Sequence, residues 1–173
     1  MKTCLVGCGG IAAVHGSVLT SGIDTEFVAA ADIKPEKAQT YAENFHTKPY
    51  PSLESMLDAE KPDVLHICTP HYLHVPMTIY ALERNINVFM EKPPAISFDQ
   101  LEELKKAAAK SEAQLGFCYQ NRYNASIRAA KDLIDSGKAG KVLGARAFVT
   151  WCRGAAYYTE SGWRGSLKTE GGG

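Results

Sequence analysis

Lys2-Thr3-Cys4-Leu5-Val6-Gly7-Cys8-Gly9-Gly10-Ile11-Ala12-Ala13 runs from a short apolar stretch through a glycine cluster into residues that suit a helix. It reads as strand, tight turn and helix start. Gly7 and Gly9 take the first two glycine positions of the dinucleotide fingerprint, where the chain turns sharply and a pyrophosphate approaches the backbone. Ala12 takes the third and keeps the helix close to the strand. A first helix expected from about Ile11 to Leu19, just past Gly10, offers free N–H groups and a partial positive charge to phosphates.

A second signal follows at the right distance. Phe27-Val28-Ala29-Ala30-Ala31 is another apolar run, and it ends in Asp32. An acid at the end of the second strand is placed to accept a hydrogen bond from a ribose 2′-hydroxyl, and Ile33 beside it is a further expected cofactor contact. A carboxylate repels a 2′-phosphate, so NAD is the expected cofactor; Lys34 nearby softens the preference and keeps NADP as the alternative.

Outward from this core the periodicities alternate. After Pro35, the residues Ala38, Tyr41, Ala42 and Phe45 form the stripe of a helix packed on a sheet. A short edge strand is expected over 48–50, a helix capped by Ser52 over 53–58, and a buried strand over 64–68. Thr69-Pro70 then leads into a helix carrying Val75, Ile79 and Leu82. A strand over 87–90 stops at Glu91-Lys92-Pro93-Pro94, Ser97 and Gln100 form a capping box for a helix over 98–110, and 115–119 is a sixth strand. This alternation predicts a doubly wound parallel sheet, an α/β Rossmann domain spanning residues 1–120.

From Gln120 the pattern changes. Asn124 is expected to cap a helix bearing Ile127, Ala130 and Ile134 that Gly137 ends. Over 142–152, Leu143, Ala145, Ala147, Val149 and Trp151 alternate with Arg146, Phe148 and Thr150, the mark of a half-exposed antiparallel strand. Residues 121–173 therefore read as the beginning of an α+β domain with an antiparallel sheet.

Nineteen basic residues balance nineteen acidic ones, so nucleic acid is not an expected partner. No signal peptide is visible, and no apolar run reaches the roughly 18 residues of a membrane span. A cytoplasmic chain with no membrane partner is expected. The five cysteines, at 4, 8, 68, 118 and 152, form no Cys-x-x-Cys pair and read as reduced thiols.

These residues resemble the Gfo/Idh/MocA oxidoreductases. The matches are Gly7-Cys8-Gly9-Gly10-Ile11-Ala12 with His15 following, Thr69-Pro70-x-x-x-His74, Glu91-Lys92-Pro93, Asn121-Arg122-Tyr123, and Trp163-Arg164 ahead of Glu170-Gly171-Gly172-Gly173, in family order. The resemblance implies hydride transfer between a nicotinamide and a secondary alcohol of a sugar, inositol or nucleotide sugar. It makes Lys92 the catalytic lysine, polarising the reacting oxygen, with a cis Lys92-Pro93 peptide and Glu91 and Pro93 at the cofactor. It places Cys68, Thr69, Pro70 and His74 along the cofactor edge and Asn121 and Arg122 at the boundary with substrate. Arg122 and Tyr123, with Lys92, are the implied substrate contacts, and Trp163 and Arg164 belong to a segment closing over the cofactor.

The same resemblance implies a second domain whose sheet forms a homo-oligomer, and a helix beyond the glycine run that supplies a histidine base. This sequence stops at Gly173, so a fragment or a truncated form lacking the base is expected. A non-catalytic dinucleotide-binding module is the competing class. His66, Cys68, His71 and His74 are ligand types that zinc takes, but alternation turns His66 and Cys68 into a helix layer while His71 and His74 follow the turn, and no metal is expected.

Overall fold

A computed structural model describes residues 1–22 and 24–172; Gly173 of the closing glycine run lies outside the described residues. The chain forms two compact units. One comprises Met1–Cys118 and the segment from Trp163 onward, the other Tyr119–Gly162.

The first unit is built on six parallel strands: β1 (Lys2–Val6), β2 (Glu26–Ala31), β3 (Lys48–Tyr50), β4 (Val64–Ile67), β5 (Asn87–Glu91) and β6 (Leu115–Cys118). Their order across the sheet is β3-β2-β1-β4-β5-β6, the doubly wound arrangement, whose direction of winding reverses between β1 and β4. The connecting helices are α1 (Gly10–Leu19), α2 (Pro35–Phe45), α3 (Leu53–Glu60), α4 (His74–Leu82) and α5 (Phe98–Lys110).

Strand alternation sorts the core onto two faces. Cys4, Val6, Leu65, Ile67, Val88 and Met90 pack against Met56 and Leu57 of α3, Val75 and Leu82 of α4, and Leu104 of α5. Leu5, Ala30 and Cys68 face the other way, against Ala12 of α1 and Tyr41 of α2. Tyr41 is held there because its hydroxyl donates to the Ala12 carbonyl at 2.8 Å. Burial on both faces is why these strands read as continuous apolar runs.

The helix starts follow the sequence with one refinement. Ser52 Oγ accepts from the Ser55 amide. At α5, Ser97 Oγ accepts from the Gln100 amide, but the Gln100 carboxamide oxygen accepts from Ile96 N, one residue earlier than the box predicts. Among the described residues no helix is long and apolar enough to cross a membrane.

At the amino ends of the strands, opposite the glycine loop, Glu60 closes α3 with its side chain buried. Lys2 and Lys48 pair with its carboxylate at 3.0 and 2.9 Å, and the Tyr50 hydroxyl donates to it at 2.6 Å. These hydrogen bonds, Tyr50's first, lower the Glu60 pKa to about 2, and the same contact raises Tyr50 to about 12. A carboxylate held below its ordinary value contributes stability that is present above pH ~4.5 and is lost as the pH falls through about 2. Glu60→Gln is therefore expected to cost about 1–2 kcal/mol at neutral pH in urea denaturation. The gap between wild type and variant should narrow steadily below pH ~4.5; a pH-independent gap would show that only packing was lost.

The second unit holds a 3₁₀ turn (Gln120–Tyr123), α6 (Ala125–Asp135) and α7 (Ala155–Thr159). Gly137 ends α6 as expected, at φ +74°. Asn124 takes the N-cap position, but its side chain makes no cap and donates instead to Asn121 Oδ1. The expected strand over 142–152 is corrected: among the described residues this stretch has no strand partner and pairs with nothing in a ladder. Alternation prepares two faces of a strand, but a strand exists only where a neighbour takes its backbone hydrogen bonds.

Candidate active site

The carboxyl ends of β1, β2, β4 and β5 carry the residues that the fingerprint selects. Val6 ends β1, and Gly7 turns the chain at φ +93° while its amide donates to the Ala31 carbonyl at 2.8 Å. A Cβ at Gly7 would lie 2.7–2.8 Å from the backbone of Cys68 and Thr69, so the loop rests directly on the end of β4. Gly9 and Gly10 are the opposite case: a Cβ on either meets nothing within 4 Å. Gly9 precedes α1 with no side-chain cap, and the first turn carries no acid. No side chain therefore caps the amides that open α1, although the Ala12 amide donates to the Gly9 carbonyl at 3.1 Å, and an uncapped helix start is where a pyrophosphate fits. Ile11 is partly exposed beside them.

Asp32 is tied to this loop. Its Oδ2 accepts from the Cys8 amide and its Oδ1 from the Lys34 amide, both at 2.9 Å. Each carboxylate oxygen retains a further lone pair for a hydroxyl donor. Ile33 projects outward, 82% exposed. Burial raises the Cys8 thiol to about 12, with Asp32 adding to the shift, and raises Cys68 well above its ordinary value, which disfavours the thiolate at both.

At the end of β4, Thr69 has a buried Oγ1 with no hydrogen-bond partner, an orphan hydroxyl at the rim of the crevice. Pro70 follows and opens a 3₁₀ turn (His71–Leu73) into α4. His74 is fully buried. Its Nδ1 faces the Pro93 carbonyl at 2.7 Å and its Nε2 the Thr69 carbonyl at 3.0 Å. The ring therefore clasps the end of β4 to the turn after β5 and reaches the crevice only through those carbonyls. Burial lowers its pKa, against the pull of both carbonyls.

β5 delivers Glu91, then Lys92, exposed at the rim, and the Lys92-Pro93 peptide is cis. Glu91 is buried and its pKa is lowered: the hydrogen bond from His15 leads the effects that outweigh desolvation. Trp163 and Arg164 sit beside the turn after β4. The Trp163 ring meets His71 edge-on at 4.6 Å, the Arg164 guanidinium lies over Trp163, and His71 Nδ1 donates to the Glu170 carbonyl at 2.9 Å. Asn121, Arg122 and Tyr123 form the 3₁₀ turn of the second unit.

One cluster has no counterpart in the sequence reading: among the described residues, His15, Glu91 and Cys118 bring three metal-type ligand atoms together within 4.8 Å. His15 follows the glycine motif, but spacing along the chain gave no sign that it meets β5 and β6 across the sheet.

The fold matches that of known proteins. The chain is 29% identical over 165 residues to D-glucoside 3-dehydrogenase of Escherichia coli (strain K12), covering 94% of this chain and 46% of that protein. The WlbA dehydrogenase of Chromobacterium violaceum, solved with NADH and UDP-GlcNAcA, superposes with a TM-score of 0.89 at 31% identity over 98% of this chain and 49% of that one. Myo-inositol 2-dehydrogenase of Lactobacillus plantarum superposes with a TM-score of 0.76 at 28% identity, over 82% and 43%. The chain thus spans about half the length of these relatives. Residues 1–119 match the Gfo/Idh/MocA model, described as an oxidoreductase family with an NAD-binding Rossmann fold, and the chain belongs to that family.

Proposed function

We propose that this chain supplies the cofactor-binding and proton-handling half of an NAD-dependent oxidoreductase that moves hydride between the nicotinamide and a secondary alcohol of a sugar, inositol or nucleotide sugar. The observation that carries the reading is the gathering of an uncapped glycine loop, an acid strapped to it and a lysine at the carboxyl ends of β1, β2 and β5 in one parallel sheet. The relatives, a glucoside dehydrogenase and an inositol dehydrogenase among them, support the substrate class.

In this reading Gly7, Gly9, Gly10 and Ile11 hold the pyrophosphate, and Asp32 with Ile33 orients the adenosine ribose. Cys68, Thr69 and Pro70 line the cofactor edge, the Thr69 hydroxyl finding there the partner it lacks. His74, Glu91 and Pro93 fix the turn that presents Lys92. When bound, NAD accepts the hydride; Lys92 holds a proton at the substrate oxygen, stabilising charge as it develops. Asn121, Arg122 and Tyr123 enter as substrate-side contacts on their motif, and Trp163 and Arg164 as a cover on theirs.

Asp32→Ala removes the ribose acceptor and the strap on the Cys8 amide together. NADH titrated against tryptophan fluorescence is expected to bind the variant about tenfold more weakly, and NADPH to bind the wild type more weakly than NADH. Equal NADH affinity in the variant would overturn the cradle. Turnover is then read on the full-length protein as NADH formation over a panel of polyols, sugars and nucleotide sugars, and saturable NADH binding there without turnover of any would replace the enzyme by a binding module.

A further inference from the structure

We propose that His15 is a positioning residue for Lys92, acting through Glu91 to set the turn on which the lysine is presented. The inference rests on the function proposed above for Lys92.

His15 lies on α1, just past the glycine loop, and is 6% exposed. Its Nε2 meets Glu91 Oε1 at 3.1 Å. The other carboxylate oxygen, Oε2, accepts from the Lys92 amide at 3.2 Å, and the Cys118 side chain hydrogen-bonds the same carboxylate from β6. The ring is itself held: its Nδ1 lies 3.0 Å from His66 Nδ1, and Phe89 packs on both imidazoles. Desolvation, with His15 adding to it, lowers His66 to about 4, so at neutral pH His66 is an uncharged partner. Glu91 is ionised and accepts, which makes His15 Nε2 the donor.

The consequence is geometric. A carboxylate folded back onto the next residue's amide dictates where that peptide plane lies, and His15 and Cys118 hold the carboxylate. Because His15 belongs to the helix that follows the phosphate loop, the cofactor cradle and the Lys92 turn are registered to each other by one buried pair. A divalent cation is a poorer account of the cluster, since the carboxylate oxygens and the imidazole already satisfy one another and Oε2 is committed to the Lys92 amide.

The test compares His15→Leu, which deletes the donor, with His15→Gln, which keeps a donor at similar reach. In 15N-labelled chain, His15→Leu is expected to shift the Lys92 amide resonance and speed its hydrogen exchange by about tenfold or more, while His15→Gln stays near wild type. In turnover, His15→Leu is expected to lower kcat by about 10–100-fold with KM for NAD changed by less than about threefold, and His15→Gln to recover most of it. Should His15→Leu fail to fold, Glu91→Gln, which weakens the acceptor, is expected to move the same amide. An unmoved Lys92 amide in the folded variants overturns the proposal, as does a kcat loss that follows melting temperature alike in both. Stoichiometric zinc on the purified wild type, lost in His15→Gln, overturns it in favour of a metal. A full-length wild type without turnover removes the dehydrogenase reading and leaves the amide measurement to decide the positioning role alone.

Discussion

Gly7→Ala is expected to lose about 3–4 kcal/mol of folding stability in urea denaturation, the sum of a left-handed backbone that alanine resists and an overpacked contact. The new methyl would stand 2.7 Å from the Cys68 carbonyl carbon and 2.8 Å from the Thr69 nitrogen. Both are backbone atoms at the end of a central strand, so relief requires β4 to move, and β4 is hydrogen-bonded on both sides by β1 and β5. Against a total stability of about 5–15 kcal/mol, this removes between roughly a fifth and four-fifths of it. Gly9→Ala is the matched control. Its Cβ meets no protein atom and its φ of −85° suits alanine, so the midpoint should stay within about 0.5 kcal/mol of wild type. NADH affinity should nevertheless fall, because the methyl enters the space where the phosphates approach. A wild-type midpoint for Gly7→Ala would show that the loop is not seated on β4; wild-type NADH binding by Gly9→Ala would show that the open side of the loop is not where the cofactor lies.

Much of the fold is legible before any coordinates because its strands are buried on both faces. The runs Cys4–Val6, Phe27–Ala31, Val64–Ile67 and Asn87–Met90 all appear as strands within a residue or so of their expected ends. Helix starts are legible for a similar reason, since Ser52 and Ser97 are side chains that satisfy amides the helix leaves free. Helix ends are less so. α2 and α3 stop on His46 and Lys61 in left-handed conformation, residues that carry no glycine-like stop signal.

The strand over 142–152 fails for a different reason. Alternation is local, whereas pairing is not, and the stretch has the alternating pattern of a strand without a neighbour among the described residues. The site divides along the same line. Gly7, Gly9 and Asp32 were visible because each owes its role to the backbone beside it, and the glycine spacing encodes that backbone. Glu91 was legible in its Glu-Lys-Pro motif, but its meeting with His15 and His66 was not, because the three come from α1, β4 and β5 and meet only when the sheet is assembled. His74 was legible as a motif residue but not as a clasp between two carbonyls, which depends on where the turn after β5 passes.

Lys92→Met carries the largest expected effect on chemistry. The substitution keeps an unbranched side chain on the same exposed turn while removing the proton that the proposed mechanism places on the reacting oxygen. The backbone feature that fixes the turn, the Lys92 amide bonded to Glu91, is untouched, so folding stability should remain within about 0.5 kcal/mol of wild type. NADH binding should change by less than about threefold, since the loop and Asp32 supply most of the proposed contacts. The loss falls on turnover: a positioned general acid or base is worth about 10²–10⁴-fold, and kcat for the best substrate of the panel should drop by about 10³. Because the interaction strengthens as charge develops on the oxygen, kcat and kcat/KM should fall together, the signature of a contact made in the transition state rather than on binding. A variant that instead raises KM at unchanged kcat would make Lys92 a substrate anchor. The proton would then have to be held by another group, and the exposed position of Lys92 at the end of β5 would be a matter of recognition rather than catalysis.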